Sequence, residues 1–211
     1  MTEIKPRYEF RVWGETLAPL RVGLERLSPL RRTESRETYL VSKVTDGCNA
    51  KIRAELMDVK VLVAQSRRLE QWKPILKTGF PLESSVVSEI VLSSLKVAPA
   101  RVTKSAYQLD EFLDLMAHTD GLVLAAISKT RYQCSVGKCA AEYAQITIND
   151  IPRETVAVES TDPDAVLQLV RKLGMTAENT SYVREIKQVI GWPALPNPSS
   201  DKTEEIPWVK R

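Results

Sequence analysis

Several short segments of this 211-residue chain carry charged side chains at alternate positions. In the first, at positions 8–13, Glu9 and Arg11 share one face if the segment is a β-strand, because strand side chains alternate in direction. Other segments with this spacing carry Lys51 and Arg53, then Asp58 and Lys60, then Lys129, Arg131 and Gln133. Apolar or small residues occupy most of the intervening positions. Each segment therefore predicts a strand with one charged face.

Two arrangements of these strands are compatible with the alternation. If helices cover the apolar faces of a closed sheet, the charged faces point into a lumen. That lumen would be lined by Arg11, Lys51, Arg53, Lys60, Lys129 and Arg131, against Glu9, Glu142 and Glu159. Arginine binds phosphate oxygens with two parallel hydrogen bonds, and carboxylates hold divalent metals, so the closed sheet predicts a polyphosphate site. An open antiparallel sheet with one solvated face is the alternative.

The remaining periodicities predict the elements that would position these side chains. Strands are expected at 8–13, 38–44, 50–56, 58–64, 122–134, 139–149 and 155–160. Helices are expected at 17–27, 66–76, 109–118 and 163–173, and a last helix is capped by Asn179 or Thr180 and ends at Gly191. The apolar segment 86–95 is compatible with a helix or a strand, and the helix is favoured. Residues 30–37 are polar and basic and are predicted to be a loop. The amphipathic helices supply more cover than a sheet with one wet face needs, which favours the closed arrangement.

Composition excludes several classes of protein. A net charge of +3 gives no global field for nucleic acid, so nucleic acid is an unlikely partner. No apolar stretch approaches the roughly 18 residues of a membrane span, and the first residues lack a signal-peptide core, so a cytoplasmic location is expected. The three cysteines form no CxxC pair, which argues against a disulfide framework or a zinc site. A single histidine, His118, leaves no nucleophile-plus-base arrangement.

The chain is predicted to have one folded domain, 1–191, and a C-terminal tail, 192–211. The tail contains four prolines and no periodicity, so we expect it to be flexible. Trp208 is unusual in such a segment. It could fold back on the domain or anchor a protein partner.

The ordered set of charged segments resembles the CYTH family of triphosphate tunnel enzymes, which includes inorganic triphosphatases, thiamine triphosphatases and class IV adenylate cyclases. The similar stretches are 8–13, 49–53, 58–60, 128–131, 141–143 and 156–160, followed by Asp162-Pro163, 172–174 and Ser181-Tyr182. The resemblance spans about residues 8–191. It implies an α+β fold in which an eight-stranded antiparallel β-tunnel, or barrel, has amphipathic helices packed outside.

The resemblance also implies a triphosphate ligand and a Mg²⁺ or Mn²⁺ cofactor. Glu9, Glu142 and Glu159 would be the catalytic and metal-binding residues, and the six cations would bind substrate. The first strand departs from the family pattern of two glutamates and a lysine, because Arg11 and Trp13 stand where the second glutamate and the lysine belong. Two functions follow: a tunnel protein that binds a triphosphate-type anion and could hydrolyse it with a divalent metal, or a catalytically degenerate tunnel that acts as a binding or scaffold subunit.

Overall fold

The computed structural model describes residues 5–98, 102–193 and 195. Its strands are β1 (Arg7–Gly14), β2 (Arg31–Ser42), β3 (Cys48–Arg53), β4 (Leu56–Ser66), β5 (Leu69–Gly79), β6 (Leu82–Glu83), β7 (Ala106–Tyr107), β8 (Leu122–Val136), β9 (Cys139–Ile148) and β10 (Ile151–Ser160). Its helices are α1 (Ala18–Glu25), α2 (Val86–Leu92, a π-helix), α3 (Leu109–Ala117), α4 (Pro163–Leu173) and α5 (Tyr182–Val189). None of these five helices has the length and apolarity that crossing a membrane requires.

Eight of the strands form a closed antiparallel barrel in the order β1-β10-β9-β8-β2-β3-β4-β5, and β6 and β7 form a separate pair. Closure occurs at β1, which pairs with β10 along one edge and with β5 along the other. The predicted α+β fold with an eight-stranded antiparallel barrel is confirmed. The alternative of an open sheet with one solvated face is wrong for this chain, because no edge of the main sheet is left unpaired among the described residues.

The helices cover the apolar faces of the strands. Over β3 and β4, α2 and α3 bury Val91 and Phe112 in one cluster with Val59. Over β1, β9 and β10, α1 and α4 bury Leu24 and Val166 in a second cluster. The outward-facing residues of the strands are therefore the apolar ones, and the charged faces are left to the interior of the barrel.

One helix packs differently. The side chains of Tyr182 and Ile186, on α5, are buried against Tyr39, Ile127 and Ile146 of the barrel. These barrel residues lie on the same faces of β2, β8 and β9 as the charged residues farther along each strand, because strand positions two apart share a face. Helix α5 therefore fills one end of the barrel interior, which makes the lumen a pocket rather than an open tunnel.

Two predicted elements are wrong. Residues 30–37 are not a loop, since β2 begins at Arg31 and pairs with β8 without interruption from Arg31 opposite Gln133 to Ser42 opposite Leu122. Residues 66–76 are not a helix, since they belong largely to β5. The register of β4 and β5 shifts between Val59 and Lys60 and between Leu62 and Ala64. Such bulges interrupt the alternation of period two, so apolar residues recur at spacings that mimic a helix.

The C-terminal part begins as predicted. Asp162 caps α4 by accepting hydrogen bonds from the amides of Asp164 and Ala165, and Gly174 ends the helix in the left-handed conformation at φ 69°. The cap of α5 is Ser181 rather than Asn179 or Thr180. After α5, Trp192 packs against the cluster at the closed end of the barrel. The predicted role of Trp208 lies outside the described residues.

Candidate functional site

A cavity of about 620 Å³ occupies the barrel interior on the polar side of α5. All nine residues singled out in the sequence line it: Glu9, Arg11, Lys51, Arg53, Lys60, Lys129, Arg131, Glu142 and Glu159. Strand register explains how distant segments meet there. Glu9 lies opposite Glu159, and Arg11 lies opposite Ala157, which in turn lies opposite Glu142. The small side chain of Ala157 leaves room between two strands for the long side chain of Arg11.

Arg11 is held from several sides. Its Nε donates to Glu9 Oε1 at 2.9 Å, and its Nη1 donates to Thr155 Oγ1 at 3.2 Å. The guanidinium carbon lies 4.4 Å from the centre of the Tyr182 ring, a cation–π contact. Burial disfavours the charged form of Glu9, but Arg11, with smaller contributions from Lys60 and Lys51, outweighs burial and lowers the pKa of the Glu9 carboxyl. Glu9 and Arg11 therefore form a fixed, charged pair inside the barrel.

A second charge cluster surrounds Glu37, a residue that the sequence analysis missed because it lies in the segment predicted as a loop. The Glu37 carboxylate lies 2.8 Å from Lys129 Nζ, 3.2 Å from Lys51 Nζ and 3.6 Å from Arg53 Nη1. Its side chain is 0% exposed. Three predicted cations therefore share this buried carboxylate, and Asp58, 3.9 Å from Arg53 Nη2, is a second carboxylate, which leaves the cluster with an excess of one positive charge.

The pKa values of this cluster follow from that imbalance. Burial raises the pKa of the Glu37 carboxyl, but Lys129 and Lys51 lower it more, so its pKa is held well below the usual range. For Lys129, burial and the charge of Lys51 lower the pKa of the amine to about 7, and the charges of Glu37 and Glu142 offset this lowering only in part. Lys129 also donates to the Tyr39 hydroxyl at 2.9 Å. Another negative charge in the cavity would favour its protonated form.

The closed end of the cavity is aromatic. The rings of Trp13 and Tyr182 meet edge to face with centroids 4.8 Å apart, and Trp13 Nε1 donates to the carbonyl oxygen of Thr180 at 2.7 Å. Lys129 Nζ lies 3.8 Å from the centre of the Tyr182 ring. Trp13 thus packs against α5 at the end of the barrel, which leaves the polar part of the lumen open.

Glu70 is a second residue that the sequence analysis missed, since it lies in the segment predicted as a helix. It is buried on β5 directly opposite Glu9 on β1. Its oxygens accept hydrogen bonds from Trp72 Nε1 at 3.1 Å and from Gln65 Nε2 at 3.3 Å. Burial, followed by the charge of Glu9, raises the pKa of the Glu70 carboxyl to about 7. This part of the barrel wall therefore holds a carboxyl group that is partly protonated near neutral pH.

Some of the cations in the cavity retain unused binding capacity. Among the described residues, Lys60 and Arg31 line the cavity without an ion pair to any carboxylate. Arg131 Nε is buried and makes no hydrogen bond within this part of the chain. A buried donor without a partner is costly, so Arg131 Nε favours a ligand with acceptor oxygens, and the more accessible Lys60 and Arg31 can bind the same ligand.

The three predicted metal ligands do not form a metal site. Glu9 is paired with Arg11, and Glu159 Oε1 lies 2.7 Å from Arg7 Nη1. Glu142 accepts from Gln133 at 3.0 Å and lies 3.9 Å from both Arg11 and Arg131. No group of three or more His, Cys, Asp or Glu side chains in the described ranges could hold a metal ion. Because each carboxylate already faces an arginine, this donor set does not fit Mg²⁺ or Mn²⁺.

Comparison with known proteins supports the fold. No family model matches the chain, and no curated protein sequence does. Among solved structures, it is similar to HpAC1 from Hippeastrum, a protein proposed to be an adenylyl cyclase that has a dominant triphosphatase activity. This match has a TM-score of 0.50 and 10% identity, and covers 89% of this chain and 97% of that one. A conserved hypothetical protein from Pyrococcus furiosus matches with a TM-score of 0.51 and 12% identity, over 85% of this chain and 98% of that one. At such identities the likeness shows the barrel fold alone.

Proposed function

We propose that the barrel cavity binds a triphosphate-type anion. The observation that carries this proposal is that seven cationic residues from five strands line one cavity with four carboxylates, and the cations remain in excess when buried Glu37 is also counted. The cations are Arg11, Arg31, Lys51, Arg53, Lys60, Lys129 and Arg131, and the carboxylates are Glu9, Asp58, Glu142 and Glu159. A cleft lined by one sign of charge with low-dielectric walls concentrates ions of the opposite sign. The triphosphatase activity of the Hippeastrum protein, which shares the fold, agrees with such a ligand.

Within this proposal, the cations have distinct roles. Lys60, Arg31 and Arg131 have unused donors and would contact phosphate oxygens directly. The cluster around Glu37 contains Lys51, Arg53 and Lys129, and its positive charge would compensate the remaining negative charge of the anion. Because the six predicted cations come from β1, β3, β4 and β8, an extended anion with several phosphates would reach more of them than a single phosphate does. We also propose that the chain is a divergent CYTH protein.

Calorimetric titration with tripolyphosphate tests the proposal. Lys60→Gln and Arg131→Gln should each weaken binding by about tenfold, or about 1.4 kcal/mol. Arg26→Gln is a matched control, because Arg26 is exposed outside the barrel and should leave the affinity unchanged. Thermal unfolding gives an independent measurement, since a ligand of the folded state raises stability by RT ln(1 + [L]/Kd). Absence of both heat of binding and thermal stabilisation would refute the proposal.

Binding of the anion does not by itself imply that the protein hydrolyses it. The pairing of Glu9, Glu142 and Glu159 with arginines favours a binding or scaffold role over metal-dependent hydrolysis. We therefore expect no release of phosphate from tripolyphosphate or nucleoside triphosphates when Mg²⁺ or Mn²⁺ is supplied. Measurable turnover by the wild-type protein, lost in Glu9→Gln and retained in Glu34→Gln on the outer face of β2, would instead support the hydrolase.

A further inference from the structure

Arg11 occupies the position between two carboxylates of the cavity. Its Nε lies 2.9 Å from Glu9 Oε1, and its Nη1 lies 3.9 Å from Glu142 Oε1. These two carboxylates come from β1 and β9, which are separated by β10. A cation that lies between carboxylates on different strands attracts both of them, and Arg131, also 3.9 Å from Glu142, supplies a second positive charge. Arg11, together with Arg131, thus provides the charge compensation that a divalent ion would otherwise provide at this position.

The position of this guanidinium is fixed. The Thr155 hydroxyl accepts from its Nη1 at 3.2 Å and donates to the carbonyl oxygen of Val12 at 2.8 Å, so the acceptor is itself oriented. The Tyr182 ring lies on the guanidinium face at 4.4 Å. Arg11 is 6% exposed. A ligand entering the cavity therefore meets a positive charge that is already in place and needs little reordering.

This arrangement has a consequence for the form of the ligand. A polyphosphate that carries Mg²⁺ has less negative charge to offer Lys60 and Arg131, and it brings a second cation toward Arg11. A metal-free polyphosphate keeps its full charge and needs no bridging ion. Like charges at close range in a cavity of low dielectric repel strongly. The metal-free anion is therefore the better match to this set of side chains.

We infer that Arg11 replaces a divalent cation in this site, so that the cavity selects the metal-free form of its polyanion. The inference rests on the proposed function, because it concerns the same cavity. Divalent metal would then act as an inhibitor of binding, because it withdraws the free anion from solution and forms a complex that binds weakly.

The test compares titrations of the wild-type protein with tripolyphosphate in EDTA and in excess Mg²⁺, at an ionic strength matched with KCl so that screening is equal. We expect binding in EDTA and an apparent affinity at least about tenfold weaker in Mg²⁺. Binding that requires Mg²⁺, is tighter with it or is equal in the two buffers overturns the inference while leaving the proposed function intact. Absence of binding in both buffers overturns the proposed function itself.

Variants at position 11 then assign the effect to Arg11. Arg11→Lys keeps a cation and should preserve the weakening by Mg²⁺. Arg11→Glu adds a carboxylate on the strand face that carries Glu9, and binding should then be strengthened by Mg²⁺. If Arg11→Glu does not fold, Arg11→Gln should still reduce the weakening by Mg²⁺. An unchanged Mg²⁺ response in the folded Glu or Gln variant overturns the role of Arg11. Electron paramagnetic resonance of Mn²⁺ adds a direct measurement, in which the wild-type protein should leave the spectrum of the free ion unchanged.

Discussion

Substitution of Glu37 tests whether the cavity is built around an excess of positive charge. Glu37→Gln keeps the size of the side chain and its ability to accept from Ser35 Oγ, which lies 3.2 Å away. It removes the negative charge shared by Lys129, Lys51 and Arg53 at 2.8, 3.2 and 3.6 Å. Lys129 and Lys51 would then lose the carboxylate that they share, whereas Arg53 would keep Asp58 at 3.9 Å.

The expected cost follows from burial. The Glu37 side chain is 0% exposed, and removal of one partner from a buried ion pair costs about 3–5 kcal/mol. Deprotonation of Lys129 would reduce this cost, because its pKa is already lowered to about 7. We therefore expect the free energy of unfolding to fall by about 3 kcal/mol near neutral pH, at the low end of that range.

Chemical denaturation measures this loss, and Glu34→Gln is the matched control. Glu34 lies on the same strand, but its side chain is 61% exposed and its partner is the exposed Arg32, so its removal should cost less than about 1 kcal/mol. Tripolyphosphate should recover part of the stability lost in Glu37→Gln, because the anion supplies the missing negative charge. Equal losses in the two variants, or equal stabilisation of Glu37→Gln and the wild-type protein by the anion, would refute the reasoning.

Three further predictions concern buried charges. The pKa of Glu70 is raised to about 7 in the folded state, whereas the unfolded state releases this proton near pH 4.5. The contribution of Glu70 to stability is therefore full below pH 4.5 and is lost as the pH rises to about 7. Glu70→Gln should therefore stabilise the protein by up to about 3 kcal/mol above pH 7 and by little at acidic pH, as measured by denaturation at several pH values. Binding of tripolyphosphate near pH 8 should take up as much as about one proton, because the anion raises the pKa of Lys129 above its lowered value, and titration in buffers of different ionisation enthalpy measures this uptake. Asp46→Asn should lower the free energy of unfolding by about 3–5 kcal/mol, because Lys187, which is 0% exposed and paired with Asp46, loses its counter-charge. Asp164→Asn, at a side chain that is 66% exposed, is the control in the same denaturation experiment.

The barrel could be predicted because alternation in most strands is local information. Lys51 and Arg53 show two faces within a single strand, and so do Lys129 and Arg131, whatever the rest of the chain does. The two elements that were predicted wrongly depend on distant partners. Residues 31–37 extend β2 because β8 is long enough to pair with them, and no local pattern in a polar, basic segment indicates this.

In the site, too, the residues that follow a local strand pattern could be predicted, and those whose burial depends on distant strands could not. The nine predicted residues were found because each carries a charge at a strand-like spacing. Glu37 and Glu70 were missed because a glutamate in a segment predicted as loop or helix is expected to be solvated, whereas the lysines and the carboxylate that surround these two residues come from other strands. An interpretation of 31–42 as one continuous strand would have placed Glu37 on the inner face, two positions from Tyr39.

Arg11 and Trp13, the two residues of β1 that differ from the CYTH pattern, help to determine the shape and charge of the cavity. Glu9 faces the polar cavity, Arg11 contacts both Glu9 and the Tyr182 ring, and Trp13 packs against that ring at the closed end. A carboxylate at position 11 would leave Glu9 without its ion-pair partner and, among the described residues, would leave only Arg131 beside Glu142 and only Lys129 on the Tyr182 ring. A lysine at position 13 would place a charge against an apolar cluster and near the Arg11 guanidinium, which lies 5.9 Å from the Trp13 ring, and both effects are costly. Arg11 and Trp13 therefore have complementary roles, since Arg11 supplies a fixed positive charge inside the barrel and Trp13 helps to close the end of the barrel next to it.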